Sequence, residues 1–281
     1  HCHVFTKNML EEWTARQKIG KFQLAYSKRN KVPFEVPDET VEQSVQKWGR
    51  ALDKYSVEKA VFICSSKSQL YRKFVQSSDK FHGLAVLDLS SQGVEDLREE
   101  INNGMCGVKI FGSKGEFDFS DQKHYDFYDY CEQNNIPVLI HFGILKGYFS
   151  DMKYANPLNI DPVARDFPKL KFIIAHFGAG FMREALFLSY QRDNIYYDTS
   201  GTNGWREYLP YEISLKDVFR KFIKVAGAKK ILFGTDSIFI KEDYNFDRLN
   251  EQLQILKDLK LKQEEVEDIL YNNAKRVYNL I

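Results

Sequence analysis

From residue 57 onward, short runs of apolar and β-branched residues alternate with segments whose apolar positions recur at helical spacing. The runs are Val57–Cys64, Phe81–Leu89, Gly107–Gly112, Pro137–Gly143, Lys171–Gly178, Ile195–Gly201 and Lys230–Asp236, and His1–Phe5 supplies one more at the start. Helical periodicity falls between them, at Val41–Tyr55, Val94–Ile101, Tyr125–Cys131 and Phe181–Tyr190. Strict β-then-α alternation predicts a parallel sheet. The strand interiors are unbroken apolar runs, as in Val138-Leu139-Ile140 before His141, which is what strands covered on both faces require.

Eight such units in 281 residues predict an α/β fold, a single (β/α)8 barrel with one domain over 1–281. Two helical stripes follow the last strand, Leu249, Leu253 and Leu256, then Val266, Ile269, Leu270, Ala274 and Val277. One closes the barrel as its eighth helix. The other is an extra C-terminal helix that packs beneath or beside it. Three long connections, Thr6–Asp38, Ile144–Asp161 and Thr202–Ser214, follow strand carboxyl ends, where a barrel places its active site, and read as lid or pocket walls. The first carries Trp13, Phe22 and Tyr26 among basic residues, and fits either a substrate lid or a surface excursion packing its own aromatics.

Composition narrows the partners. Forty basic against thirty-nine acidic side chains leave a formal charge of +1 without any block of like charge, which favours neither nucleic acid nor a membrane surface. No apolar run approaches the roughly 20 residues of a spanning helix, so the expectation is a soluble protein, cytoplasmic by default, acting on a small molecule, with a homo-oligomer left open. Cys2, Cys64, Cys106 and Cys131 are scattered without C-x-x-C spacing, against a zinc knot or redox motif. They read as reduced core thiols; Cys64, at a strand end, is the one placed for an active-site role.

His1 and His3 flank Cys2, and alternation along a strand aims both imidazoles at one side, half of a metal site. Matching residues occur at later strand ends: His141 and His176, each followed by Phe-Gly, and Asp236 in Phe233-Gly234-Thr235-Asp236. One βα unit takes roughly 30 to 35 residues. His3 to His141 spans 138 residues, His141 to His176 spans 35 and His176 to Asp236 spans 60, which places the later three on strands five, six and eight. His82 opens a strand at the opposite end and His124 begins a helix, so both read as structural or solvated, and Arg165 as structural. Gly178-Ala179-Gly180 is no phosphate loop; its small residues allow substrate or backbone to approach closely.

With HCH at 1–3, PVLIHFG at 137–143, FIIAHFGAG at 172–180, YYDTSG at 196–201, ILFGTDS at 231–237 and NAKRVYNL at 273–280, the chain resembles the metal-dependent amidohydrolase superfamily. Within it the resemblance is to the amidohydrolase-related branch that includes aminocarboxymuconate-semialdehyde decarboxylase. It implies that His1, His3, His141 and Asp236 bind one divalent metal, most simply Zn2+, with His176 beside it as acid/base or polarising group. Three neutral imidazoles and one carboxylate leave such a site positive, able to lower a bound water's pKa from 15.7 to roughly 7 and to polarise a carbonyl. Asp236 then serves also as a base, and His176, with a reference pKa of about 6.5, as a proton shuttle.

Lys109, on predicted strand four, stays open between a carboxylated lysine bridging two metals, as the resemblance allows, a substrate or supporting role, and a solvated amine. Asp198, Thr199 and Ser200 end strand seven. At least one of them, with Ser200 the candidate, is expected to support the ligand histidines, or else to cap the next segment. The resulting expectation is a hydrolase of a small carbonyl substrate, a lactone, amide or related acid, using a metal-activated water. Non-oxidative decarboxylation is the alternative, and a non-catalytic binding barrel a third.

Overall fold

The structure is a computed structural model that describes residues 1–16, 38–113, 118–145, 150–238 and 245–280, and at 13–16 the backbone alone. Among these residues nine strands form one sheet: β1 Cys2–His3, β2 Ala60–Ser65, β3 Phe81–Val86, β4 Gly107–Phe111, β5 Val138–His141, β6 Phe172–Ile174, β7 Ile195–Asp198, β8 Ile231–Leu232 and β9 Ser237–Ile238. All pairings are parallel, in the order β8-β7-β6-β5-β4-β3-β2-β1-β9. β8 pairs with β7 and β9 pairs with β1. These two short strands are the halves of one stave, and the residues joining them close the ring of a (β/α)8 barrel.

Helices cover the outside: α1 Lys7–Arg16, α2 Val41–Lys54, α3 Gln69–Gln76, α4 Val94–Asn102, α5 Tyr125–Gln133, α6 Asp161–Asp166, α7 Met182–Gln191, α8 Leu215–Ala226 and α9 Phe246–Asp258. α1, α3, α6 and α8 add to the helices predicted above. α8 buries Leu215, Val218, Phe219 and Phe222, one face at helical spacing. α2 starts at a reciprocal cap, Thr40 Oγ1 accepting from Gln43 N–H and Gln43 Oε1 from Thr40 N–H, which occupies two orphan donors. Inside it Trp48 packs edge-on against Phe62 of β2, and Phe62 against Phe74 of α3. Each such side chain contributes roughly 1.5–3 kcal/mol by leaving water.

Inside the barrel, Val61, Ile63, Leu84, Leu139, Ile173, Ala175 and Leu232 cluster with Val277, Tyr278 and Leu280. The extra C-terminal helix therefore lies beneath the barrel and closes the end opposite the histidines. It is built from α10 Gln263–Glu267, a π-helical turn Asp268–Asn272 and α11 Asn273–Val277. Most strands end sooner than their runs predict, two of them by the widest margin. β6 stops at Ile174, and the expected strand Lys230–Asp236 breaks after Leu232. Both early ends lie at the site.

Candidate metal centre

Strand alternation on β1 turns His1 and His3 to the same side, with their ring centroids 5.2 Å apart. Asp236 meets them from the broken stave: its Oδ1 lies 3.0 Å from His3 Nε2 and 3.8 Å from His1 Nε2. The ligand atoms of His1, His3 and Asp236 all fall within 4.8 Å of one another, and so do those of His1, His176 and Asp198. His1 belongs to both groups.

Asp198, at the end of β7, organises the second group. Its Oδ2 accepts from His1 Nδ1 at 2.6 Å. Its Oδ1 accepts from the backbone N–H of Ser200 at 2.9 Å and of His176 at 3.2 Å, and from the Ser200 hydroxyl. A carboxylate can only accept, so His1 carries its proton on Nδ1, and a neutral ring then presents a lone pair at Nε2. That Nε2 is buried and makes no hydrogen bond, while the nearest carboxylate oxygen is itself an acceptor. A buried acceptor with no donor, turned toward a carboxylate oxygen, is unfavourable unless a cation lies between them. The carboxylate–histidine arrangement is also the one that fixes and strengthens imidazole ligands. The donor set of imidazole nitrogens and one carboxylate therefore fits a divalent cation.

His176 follows β6 in a left-handed turn. Residues 176 to 180 all have positive φ, at 56°, 52°, 86°, 43° and 101°, and three of them are not glycine, a conformation that costs of order 1 kcal/mol at each such residue. The turn aims the imidazole at the mouth. His176 Nδ1 lies 2.9 Å from Ser200 O and 2.8 Å from Ser200 Oγ, so Nδ1 bears the proton and Nε2 is the free base. Ser200 Oγ is also 3.0 Å from His1 Nδ1. Burial lowers the His176 pKa, against the pull of Asp198 and Asp236.

His141 ends β5 with its ring 4.8 Å from that of His176, edge to face. Its Nε2 lies 3.4 Å from Ile144 O, and it is not one of the residues in either close donor group. Burial, then the charges of His176 and Lys109, hold its pKa well below the ordinary value. Gly143, two residues on, has φ of 82°, and a Cβ there would stand 2.2 Å from Ala179 O. The close backbone approach expected at Gly178-Ala179-Gly180 is made by Gly143.

Asp236 is also left-handed, with φ of 55°. Burial would raise its pKa, but the His3 hydrogen bond and charge, then His176 and Arg248, hold the carboxyl well below the usual carboxylate range. Arg248 and Gln252 of α9, absent from the sequence-derived candidates, brace this segment. Their signal in the sequence is two polar residues four apart on a stripe that otherwise reads as apolar.

Lys109 is 1% exposed, which overturns the solvated-amine reading. It shares a register with the interior residue Leu139, its Nζ lies 5.2 Å from the Phe111 ring, and its charge reaches His141 and His176. Cys64 is fully buried with its pKa pushed well above the ordinary thiol value, which removes it from the chemistry. His124 and His82 have their pKa values lowered by burial, and Arg165 pairs with Asp166 at the surface. Phe22 and Tyr26 of the first long connection lie outside the described residues, as does the Trp13 side chain. No helix among the described residues is long and apolar enough to cross a membrane.

A parallel barrel gathering histidines and aspartates at the carboxyl ends of its strands is of the class that builds catalytic centres at that mouth. The family described as amidohydrolase matches residues 1–280, and the chain belongs to that family, whose members are generally metal-dependent and mostly catalytic. Protein fluG of Emericella nidulans is 22% identical over 161 residues, 53% of this chain and 18% of that protein; the chain thus matches under a fifth of that relative's length. Among solved structures, a probable 2-pyrone-4,6-dicarboxylic acid hydrolase from Acinetobacter baumannii, with citric acid bound, superposes with a TM-score of 0.66 at 16% identity, covering 99% of this chain and 97% of that one. The 5-carboxyvanillate decarboxylase of Sphingomonas paucimobilis gives 0.56 at 13% identity, covering 83% and 82%. At these identities the likeness is one of fold.

Proposed function

We propose that the protein is a metal-dependent hydrolase of a small carbonyl compound, a lactone, amide or related acid, with one divalent cation, zinc by its donor set, held by His1, His3, His141 and Asp236. The observation that carries this reading is the buried, unbonded Nε2 of His1, 3.8 Å from Asp236 Oδ1. A bound cation would supply Lewis acidity to a carbonyl and bring a water's pKa to roughly 7. The chain's own groups do the rest. Asp236 takes the proton of the attacking water through the oxygen not turned to His3. His176, its Nδ1 proton committed to Ser200, presents a neutral Nε2 that takes this same proton on from Asp236 and delivers it to the leaving group. Ser200 and Asp198 hold both imidazoles in register.

The buried Lys109 ammonium favours one further reading, because a charge held beside His141 and His176 would meet a carboxylate on the substrate. That serves a hydrolysable acid, and it serves decarboxylation equally. A panel assay on zinc-loaded protein separates the two. Lactone or amide cleavage without release of carbon dioxide supports hydrolysis, whereas carbon dioxide release from unsaturated or aromatic acids, with lactones and amides untouched, replaces it with decarboxylation.

A further inference from the structure

Asp236 sits where the barrel's hydrogen-bond ladder is interrupted. Between β8 and β9 the backbone finds partners outside the neighbouring strands. Phe233 N–H donates to Ile269 O in the π-helical turn at 3.0 Å, and Gly234 N–H to Thr199 Oγ1 at 3.1 Å. Gly234 O accepts from Gln252 Nε2 at 2.9 Å. Thr235 O accepts from Arg248 Nη1 at 2.6 Å, Asp236 O lies 3.3 Å from the same nitrogen, and Asp236 N–H donates to His1 O at 2.9 Å. The carbonyls of Thr235 and Asp236 belong to the two peptide planes that flank the Asp236 Cα. A group bonded to both fixes the φ and ψ between them.

That matters because the conformation so held is a left-handed one, which costs a non-glycine residue of order 1 kcal/mol and is held in place here by bonds from outside the segment. Arg248 and Gln252 are one turn apart on α9, so a single helix face holds the carbonyls of Gly234, Thr235 and Asp236. Arg248 is half-buried, and its charge also favours the ionised Asp236. We infer that Arg248 is the positioning residue for Asp236: by holding both flanking carbonyls it turns the carboxylate toward His1 and His3. The inference rests on the proposed cation site.

The test is the zinc affinity of chelator-stripped protein, titrated with zinc against a chromogenic chelator far below the melting temperature. Arg248→Met should bind zinc at least roughly tenfold more weakly than wild type, and Arg248→Lys, which keeps the charge and one donor, should recover part of the loss. The control is Arg276→Met. Arg276 also bonds a backbone carbonyl, that of Lys229 at 3.1 Å, but away from the histidines; its loss should lower the melting temperature and leave zinc affinity unchanged. Unaltered affinity in Arg248→Met, or an equal loss in Arg276→Met, overturns the inference. If Arg248→Met does not fold, unaltered affinity in Arg248→Lys overturns it. Failure of the wild type to bind zinc strikes the proposed function instead.

Discussion

Nδ1 of His1 lies 2.6 Å from Oδ2 of Asp198, and this contact decides which end of the imidazole faces Asp236. Asp198 also receives the Ser200 hydroxyl and two backbone N–H groups, so it fixes one tautomer of His1 and the loop carrying Ser200 together. Asp198→Asn replaces an all-acceptor group by one that must turn an NH2 toward a donor. Zinc affinity should fall roughly 10–100-fold, as read by chelator competition; unchanged affinity would show that the Asp198 contact does not govern the His1 ligand.

His176 and His141 are neighbours with different assignments. His176→Ala should keep one zinc per chain and lose most turnover, while His141→Ala should lose both. Metal analysis beside a steady-state assay distinguishes them, and the reverse pattern would exchange their roles.

Gly143 couples the two strand ends that carry these histidines. Gly143→Ala puts a Cβ 2.2 Å from Ala179 O at a residue with φ of 82°. Strain and overpacking together should cost about 2–4 kcal/mol in urea unfolding. A loss below about 0.5 kcal/mol, the ordinary range for an inconsequential surface change, would mean the contact yields easily.

In α3, Arg72 donates to Glu100 at 2.7 Å and to Glu99 at 2.8 Å, and Glu100 also accepts from Lys67 N–H at 2.6 Å. Glu100 is fully buried. Glu100→Ala leaves the Arg72 charge with only the more exposed Glu99 and should destabilise by about 3 kcal/mol. Zinc stoichiometry in the folded variant should stay at the wild-type value; a joint loss would tie this pair to the site.

Much of the fold was legible because two-sided burial makes the barrel strands unbroken apolar runs, and because βα units recur at a near-constant interval. That interval brought His3, His141, His176 and Asp236 to one mouth. The local geometry was less legible. Lys230 to Asp236 reads as a continuous strand, yet it breaks, because Gln252 and Arg248 from a distant helix take over backbone groups a ladder would have used. The left-handed turn after β6 is signalled only by Gly178 and Gly180; that His176, Phe177 and Ala179 share it has no local signature, since none of the three is the glycine that such angles favour. Lys109 could not be placed from its neighbours in sequence. Only its register against Leu139 of β5 puts it inside the barrel.

The central claim is a single cation at the mouth, bound through His1, His3, His141 and Asp236. Anomalous diffraction at the zinc absorption edge, from crystals of protein reconstituted with one equivalent of zinc, tests it most directly. One strong peak within bonding distance of His1 Nε2, His3 Nε2, a ring nitrogen of His141 and an oxygen of Asp236 is the expected result. A stoichiometrically loaded crystal with no peak there, or with its peak elsewhere, would contradict the account.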